Sequence, residues 1–410
     1  MTEAYVYDAV RTPFGRFGGA LAGARPDDLA ALVVKEIASR APELDPERID
    51  EVILGNANGA GEENRNVARM ASLLAGLPVT LPGTTVNRLC GSSLDAAIIG
   101  SRQIETGEAD VLVVGGVESM SRAPWVLPKT ERPYPAGDLD LVSTTLGWRL
   151  VNPSMSSEWA VSLGEATERL RERHGISRER QDAFAERSHR LAAKAWDSGF
   201  YDELVVAVPG VDLGRDESIR ADTTVERLAG LKTVFRLLGA GGTVTAGNAS
   251  PLSDGASAAI LGSEKAAALT GLSPLSRIAG RGASALEPQF FGYAPVEAAN
   301  LALSRAGITW DDVSAVELNE AFAAQSLACL DAWKIDPEIV NQHGGAIAVG
   351  HPLGASGTRI LGTLARSLQR SRQRWGVAAI CIGVGQGLAV VLENVAAISD
   401  APDREEPSHA

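Results

Sequence analysis

Thr84 to Ala97 reads TTVNRLCGSSLDAA, and this stretch decides the fold. The β-branched run Thr84, Thr85, Val86 predicts a strand, a Gly-Ser-Ser step follows at once, and Leu94 to Ile104 predicts a helix. Cys90 stands at the junction. A thiol beside the unpaired N–H groups and positive dipole end of a helix is expected to favour thiolate and to titrate below its ordinary value of roughly 8.5. The same residue also fits as a small buried hydrophobe, since free cysteines are among the most buried side chains.

Outward from that junction, strands and helices alternate. Residues 4–10 predict a strand, RTPFGRFGGAL a glycine-rich loop, and Pro26 to Arg40 a helix. A short strand at 52–54, a helix over Asn64 to Leu74 and the apolar strand ADVLVVGG at 109–116 complete the first part. Such alternation predicts a mainly parallel sheet covered on both faces. The order then returns. DPERIDEVILGN (45–56) is echoed by TWDDVSAVELNE (309–320), placing Val52 on Val316 (316 − 52 = 264), and the same offset carries Ser92 onto Ser356. VLVVGG (111–116) matches AAICIG (378–383) at 378 − 111 = 267. Ordered matches at a nearly constant offset indicate a duplication, which brings the Cys90 turn to face HPLGASG (351–357). Residues 120–250 interrupt the pattern with a Pro-rich loop (124–138), a charged helix from Ser177 to Ser198 and the Gly/Ser/Thr-rich 239–256, the usual character of ligand-binding loops.

Composition narrows the function. The 410 residues exceed one ordinary core, and 45% hydrophobic content with 43 Gly and 5% aromatics fits an α/β protein packed with small aliphatics. A net charge of −13 argues against nucleic acid or an anionic membrane as partner, so an anionic ligand needs locally placed basic groups. Cys90, Cys329 and Cys381 have no Cys or His at zinc-ligand spacing and form no disulfide framework, which reads as no metal and a reducing compartment. MTEAYVYDAV has neither a basic nor an apolar leader segment, and no run approaches about 18 apolar residues, so the expectation is a soluble cytoplasmic protein. The polar, acidic 399–410 predicts a disordered tail.

Four segments place chemistry-bearing residues in turns at strand ends: NRLCGSS at Cys90, LNEAF at Asn319, GHPLGASG at His351 and CIGVGQG at Cys381. Taken singly, His351 fits a loop residue, Asn319 a helix cap and Cys381 a core residue. GVGQG (383–387) is followed by the strand LAVVLE rather than a helix, so it fails as a dinucleotide-binding turn.

Together NRLCGS, ELNEAFAAQ, GGAIAVGHPLGASG and CIGVGQG resemble the signatures of the thiolase family, over essentially the entire chain. RTPFGRFGGAL, GVESMSRAP (116–124) and TLGWRLVNP (145–153) resemble degradative thiolases of the 3-oxoadipyl-CoA type. The resemblance implies a duplicated five-layer αβαβα fold with an inserted loop domain. The N-terminal half takes 1–119 and 251–273, the coenzyme A-binding insertion 120–250, and the C-terminal half 274–398. It implies cleavage of a 3-oxoacyl-CoA to acetyl-CoA and a shortened acyl-CoA, a reversible Claisen condensation. Cys90 would carry the acyl group, His351 take its proton and Cys381 exchange the α-proton. The backbone N–H groups of Cys90 and Gly383 would hold one oxyanion, and His351 with Asn319, through a water, the other. Arg220 in DESIR would lie along the adenine, Ser250 meet the pantetheine amide, and Phe235 and Phe322 line the tunnel. Coenzyme A is then a substrate, with no permanently bound cofactor. The family forms dimers or tetramers, implying a homo-oligomer through the sheet edge before Cys90.

The chain departs from the family pattern at Ser93, Pro251, His343, the LLGAGGTVTAG turn, and Ser162 with Leu163. These leave open an acetoacetyl-CoA-forming biosynthetic thiolase, and a catalytically silent thiolase-fold protein that only binds acyl-CoA. A condensing enzyme of the synthase type would share a Cys/His pair, but would not be expected to keep Cys381 in CIGVGQG together with NEAF.

Overall fold

The computed structural model describes residues 2–399; Met1 and residues 400–410, which carry nearly all of the tail expected to be disordered, lie outside the described residues. The first part of the chain supplies β1 (Tyr5–Arg11), β2 (Glu51–Gly55), β3 (Gly83–Val86), β4 (Val111–Ser119) and β5 (Ser253–Gly262). The later part supplies β6 (Ser276–Ala285), β7 (Val313–Leu318), β8 (Trp375–Ile382) and β9 (Gln386–Asn394). Hydrogen bonding runs β7-β8-β9-β6-β1-β5-β4-β2-β3. At its centre β1 meets β6 only through Tyr5–Arg277 and Val6–Ser276, a short seam between two sheets.

Each pairing on one side of the seam recurs on the other. β4 lies parallel to β2 and antiparallel to β5, as β8 does to β7 and β9. β5–β1 and β9–β6 are both antiparallel. Even β3, parallel to β2, is echoed by the isolated parallel bridge from Val316 to Val340. The sheets are therefore mixed, not mainly parallel as the alternation suggested. Gly383, Val384 and Gly385 join β8 to β9 in a three-residue turn that can only reverse the chain. β5 runs against both its neighbours.

The longer helices are α1 (Pro26–Ser39), α2 (Val67–Leu74), α3 (Ser92–Glu105), α4 (Leu163–His174), α5 (Arg178–Asp197), α6 (Pro295–Ala306), α7 (Ala323–Trp333) and α8 (Ser356–Ser371). Helix α2 starts three residues later than expected. Asn64 and Arg65 take left-handed φ of 48° and 65°, and Asn66 caps the helix by accepting the Arg69 N–H at 3.4 Å. Period-two alternation then sorts the layers. On β4, Leu112 and Val114 pack with α3 and α8, whereas Val111 and Val113 pack with α1 and α2. On β8, Ala378 and Ile380 join the same middle layer, whereas Val377 and Ala379 face α6 and α7. The result is the expected order αβαβα. Each fully buried aliphatic in that shared middle layer contributes roughly 1.5–3 kcal/mol.

Helices α3 and α8 begin side by side, at the related residues Ser92 and Ser356. A Cβ on Gly357 would lie 2.2 Å from the Leu94 nitrogen, and one on Gly116 2.0 Å from the Gly354 carbonyl oxygen, so neither position has room for a side chain. Ser93 Oγ accepts the Thr358 N–H at 3.0 Å, capping α8 from the neighbouring helix. Among the described residues, no helix is long and apolar enough to cross a membrane.

Candidate active site

The chain leaves β3 and reverses at Leu89, which takes a left-handed φ of 47°. For a bulky residue this conformation costs of order 1–3 kcal/mol. Local bonds hold it. Asn87 Oδ1 accepts the Leu89 N–H at 3.0 Å, and Ser92 Oγ accepts the Arg88 N–H at 2.9 Å while donating to the Leu89 carbonyl at 2.6 Å. Cys90 thus follows a fixed corner at the head of α3 and is only 7% exposed.

Its protonation differs from the sequence expectation. Burial pushes the Cys90 thiol up to about 11, helped by the nearby Glu118 carboxylate and opposed by the N–H of Gly383. Loss of hydration outweighs the helix end because the opposite half of the molecule closes over the sulfur. Cys90 is a neutral thiol at rest.

His351 lies in the turn before α8. Its N–H donates to Ser253 Oγ at 3.0 Å, and Nδ1 lies 2.6 Å from Ser356 Oγ, which itself donates to the Pro352 carbonyl at 3.1 Å. With Nδ1 held against Ser356, Nε2 is the ring nitrogen left for proton transfer. Burial, reinforced by the Arg359 cation, pushes His351 down to about 3, so the ring is neutral at working pH. Asn319 Nδ2 is nearly equidistant from both ring nitrogens, at 3.4 and 3.3 Å, and so lies on neither lone-pair line. The Asn319 amide is oriented by Arg359, which donates to Oδ1 at 3.3 Å and pairs with buried Glu317 at 3.1 Å.

Cys381 is fully buried on β8, packed with Phe291, Ala321 and Phe322. Burial raises its thiol well above the ordinary range, and the proximity of Cys90 raises it further. In the turn that follows, Val384 takes φ 68°, an outlier for a β-branched residue. Gln386, just beyond, accepts from Arg88 at 2.9 Å, tying this turn to the Cys90 corner.

Two cavities open onto Cys90. One, of about 420 Å³, is bordered by His351, Phe235, Ser250, Pro251, Phe291 and Phe322; the other, of about 280 Å³, by Gly383, Asn58, Asn87, Thr145, Trp148 and Arg149. Phe235 and Phe322 meet edge-on at 6.3 Å, and Ser250 Oγ donates to the Ala321 carbonyl at 3.0 Å. Arg220 is not brought to this site. Its side chain is exposed and absent from both linings, while its N–H donates to His189 Nδ1 at 3.2 Å.

Sequence reasoning missed Glu118. Its carboxylate accepts the N–H groups of Ala57 at 2.9 Å, Asn58 at 3.1 Å and Gly354 at 2.9 Å, clamping the turns of the two halves together. A lone carboxylate inside the apolar VLVVGGVES was the available signal. The departures noted above also find places. His343 stacks on Phe200, Ser162 caps α4 by accepting the Glu165 N–H at 3.2 Å, and Leu163 borders both cavities. Among the described residues, no group of three or more His, Cys, Asp or Glu could hold a metal ion.

The family models for the thiolase N-terminal and C-terminal domains match residues 4–265 and 272–394. The chain is 49% identical over 405 residues to the 3-oxoadipyl-CoA/3-oxo-5,6-dehydrosuberyl-CoA thiolase of Escherichia coli (strain K12), covering 96% of this chain and all of that one. Its fold is similar to that of the Bacillus anthracis acetyl-CoA acetyltransferase, with a TM-score of 0.89, 38% identity, and coverage of 96% of this chain and 99% of that chain. It is equally similar to human mitochondrial 3-ketoacyl-CoA thiolase in complex with CoA, with a TM-score of 0.89, 36% identity, and coverage of 96% and 98%.

Because the Cys90 thiol is raised, alkylation by iodoacetamide should accelerate with pH toward an inflection near about 11, as the thiolate fraction grows. A pH–rate profile already level near neutrality would reveal a standing thiolate–imidazolium pair and contradict the neutral resting state.

Proposed function

The chain belongs to the thiolase family, and from that premise we propose that it cleaves a 3-oxoacyl-CoA whose acyl chain ends in a carboxylate, 3-oxoadipyl-CoA or a close relative. It is an acyltransferase with coenzyme A as a substrate. The observation that carries the reading is the convergence of Cys90 and His351 on one cavity.

In cleavage, Cys90 Sγ attacks the C3 carbonyl while its proton passes to His351 Nε2. Thiol and imidazole are both neutral at rest, so the transfer accompanies carbon–sulfur bond formation rather than preceding it. The N–H groups of Cys90 and Gly383 hold the resulting oxyanion. Its collapse breaks the C2–C3 bond, and His351 and Asn319, through a water, hold the enolate oxygen of the departing acetyl-CoA. Cys381 gives its proton to the enolate carbon. The Cys381 thiolate then takes the proton of incoming CoA, whose sulfur attacks the Cys90 thioester, releases the shortened acyl-CoA and lets Cys90 recover its proton from His351. A donor lost from either oxyanion site would cost about 10²- to 10³-fold in rate.

Residues 120–250 serve in this reading as the inserted coenzyme A-binding domain, between N-terminal parts at 1–119 and 251–273 and a C-terminal half at 274–398. Ser250, Phe235 and Phe322 border the cavity that would take the pantetheine arm, and Arg220 would reach the adenine at the surface. The absence of disulfides among three free cysteines supports a cytoplasmic setting. The outer edge of β3 supports a homo-oligomer, dimer or tetramer, because a free strand edge is a ready surface for a second copy.

A thioester absorbance assay with free CoA should show cleavage of 3-oxoadipyl-CoA, with acetoacetyl-CoA slower, and Cys90→Ala should abolish both. Preference for acetoacetyl-CoA would instead favour the biosynthetic reading, and wild-type-like turnover by Cys90→Ala would refute the mechanism. Sedimentation should give a dimer or tetramer; monomer alone would overturn the assembly.

A further inference from the structure

The linings of the two cavities at Cys90 together contain no Asp or Glu and one permanently charged side chain, Arg149. It belongs to TLGWRLVNP, whose Trp148 borders both cavities, but Arg149 borders only the one away from Phe235 and Ser250. Its guanidinium donates to the Thr144 carbonyl and to Asn58 Oδ1, each at 3.2 Å. Both acceptors are neutral. Among the described residues no carboxylate pairs with it, although other arginines around the site are matched, Arg88 to Asp95, Arg122 to Glu62 and Arg359 to Glu317. In a chain of net charge −13, an arginine left without a carboxylate beside the nucleophile points to an anion that arrives with the ligand.

The neighbouring groups are already occupied. Asn58 Nδ2 donates to the Thr144 hydroxyl at 3.0 Å, and Asn87 bridges the Ala57 carbonyl and the Leu89 N–H. Two of the five guanidinium N–H groups are spent on Thr144 and Asn58, so the rest remain for a carboxylate. Those same two contacts fix the fork and reduce the ordering that binding must supply.

Resting on the thiolase reading above, we propose that Arg149 selects 3-oxoacyl thioesters whose chain ends in a carboxylate, by pairing with that carboxylate in the cavity of about 280 Å³. The thioester arm enters along Phe235 and Phe322, Cys90 attacks C3 where the cavities meet, and the chain beyond C3 continues toward Arg149. In a 3-oxoadipyl chain only two methylenes separate C3 from the carboxylate. Asn58, Asn87 and Thr145 border the same cavity as Arg149, together with the apolar Leu146, Trp148 and Leu353.

The test compares 3-oxoadipyl-CoA with 3-oxohexanoyl-CoA, a chain of the same length lacking the carboxylate, on the full-length protein and its Arg149→Gln and Arg149→Lys variants. Arg149→Gln should lower kcat/KM for 3-oxoadipyl-CoA by about 10- to 100-fold, chiefly through KM, and Arg149→Lys by less. The uncharged thioester should change by less than about threefold, so that the substrate preference collapses. Equal losses on both thioesters would mark Arg149 as merely holding its loop, and unchanged preference would exclude it from recognition; either result overturns the proposal. Wild-type cleavage of both thioesters without preference would sink the Arg149 assignment and leave the thiolase reading standing, whereas cleavage of neither would sink both.

Discussion

Two helix starts, at Ser92 and Ser356, lie nearly in backbone contact at the centre of the molecule, and the rest of the structure is arranged around that approach. It is possible because Gly357 and Gly116 present no side chain at the points of closest passage. The turns feeding the two helices carry Cys90 and His351, so the distance between the helices also sets the relation of nucleophile to base. Glu118 reinforces the contact by binding N–H groups from both halves with one carboxylate, and Ser93 does so by capping α8 across the joint. A duplicated chain thus forms a single site. Each copy contributes different residues at related positions of the same architecture.

Burial at this joint governs the chemistry. Cys90, His351 and Cys381 are all held in their uncharged forms by desolvation, the thiols pushed up and the imidazole pushed down. Charge therefore appears only as the reaction proceeds, where fixed N–H donors in a dry cavity stabilise it more strongly than water-exposed groups could. Arg149, an exposed residue of the smaller cavity's lining, is left without a carboxylate partner among the described residues.

Much of this was readable from the residues. The strand–turn–helix around Cys90, the recurrence of strand and helix at an offset of 264, the polar turn at Asn319 and the glycine-bounded turns of His351 and Cys381 follow from local chemistry and spacing. The ionisation of Cys90 was not readable, because the groups that desolvate it come from the far side of a fold the local pattern cannot measure. Strand direction was misjudged for a similar reason. Alternation says that strands and helices take turns, but the three-residue turn at Gly383 and the direction of β5 make those pairings antiparallel.

The central claim is that Cys90, at the seam of the two halves, is the sulfur that carries the acyl group. The most direct measurement is intact-protein and peptide mass spectrometry after mixing the enzyme with 3-oxoadipyl-CoA in the absence of free CoA. Acetyl-CoA should be released while a succinyl group remains on the peptide containing Cys90. An acyl group found on Cys381 or Cys329 instead, or release of acetyl-CoA with no covalent adduct, would contradict the account.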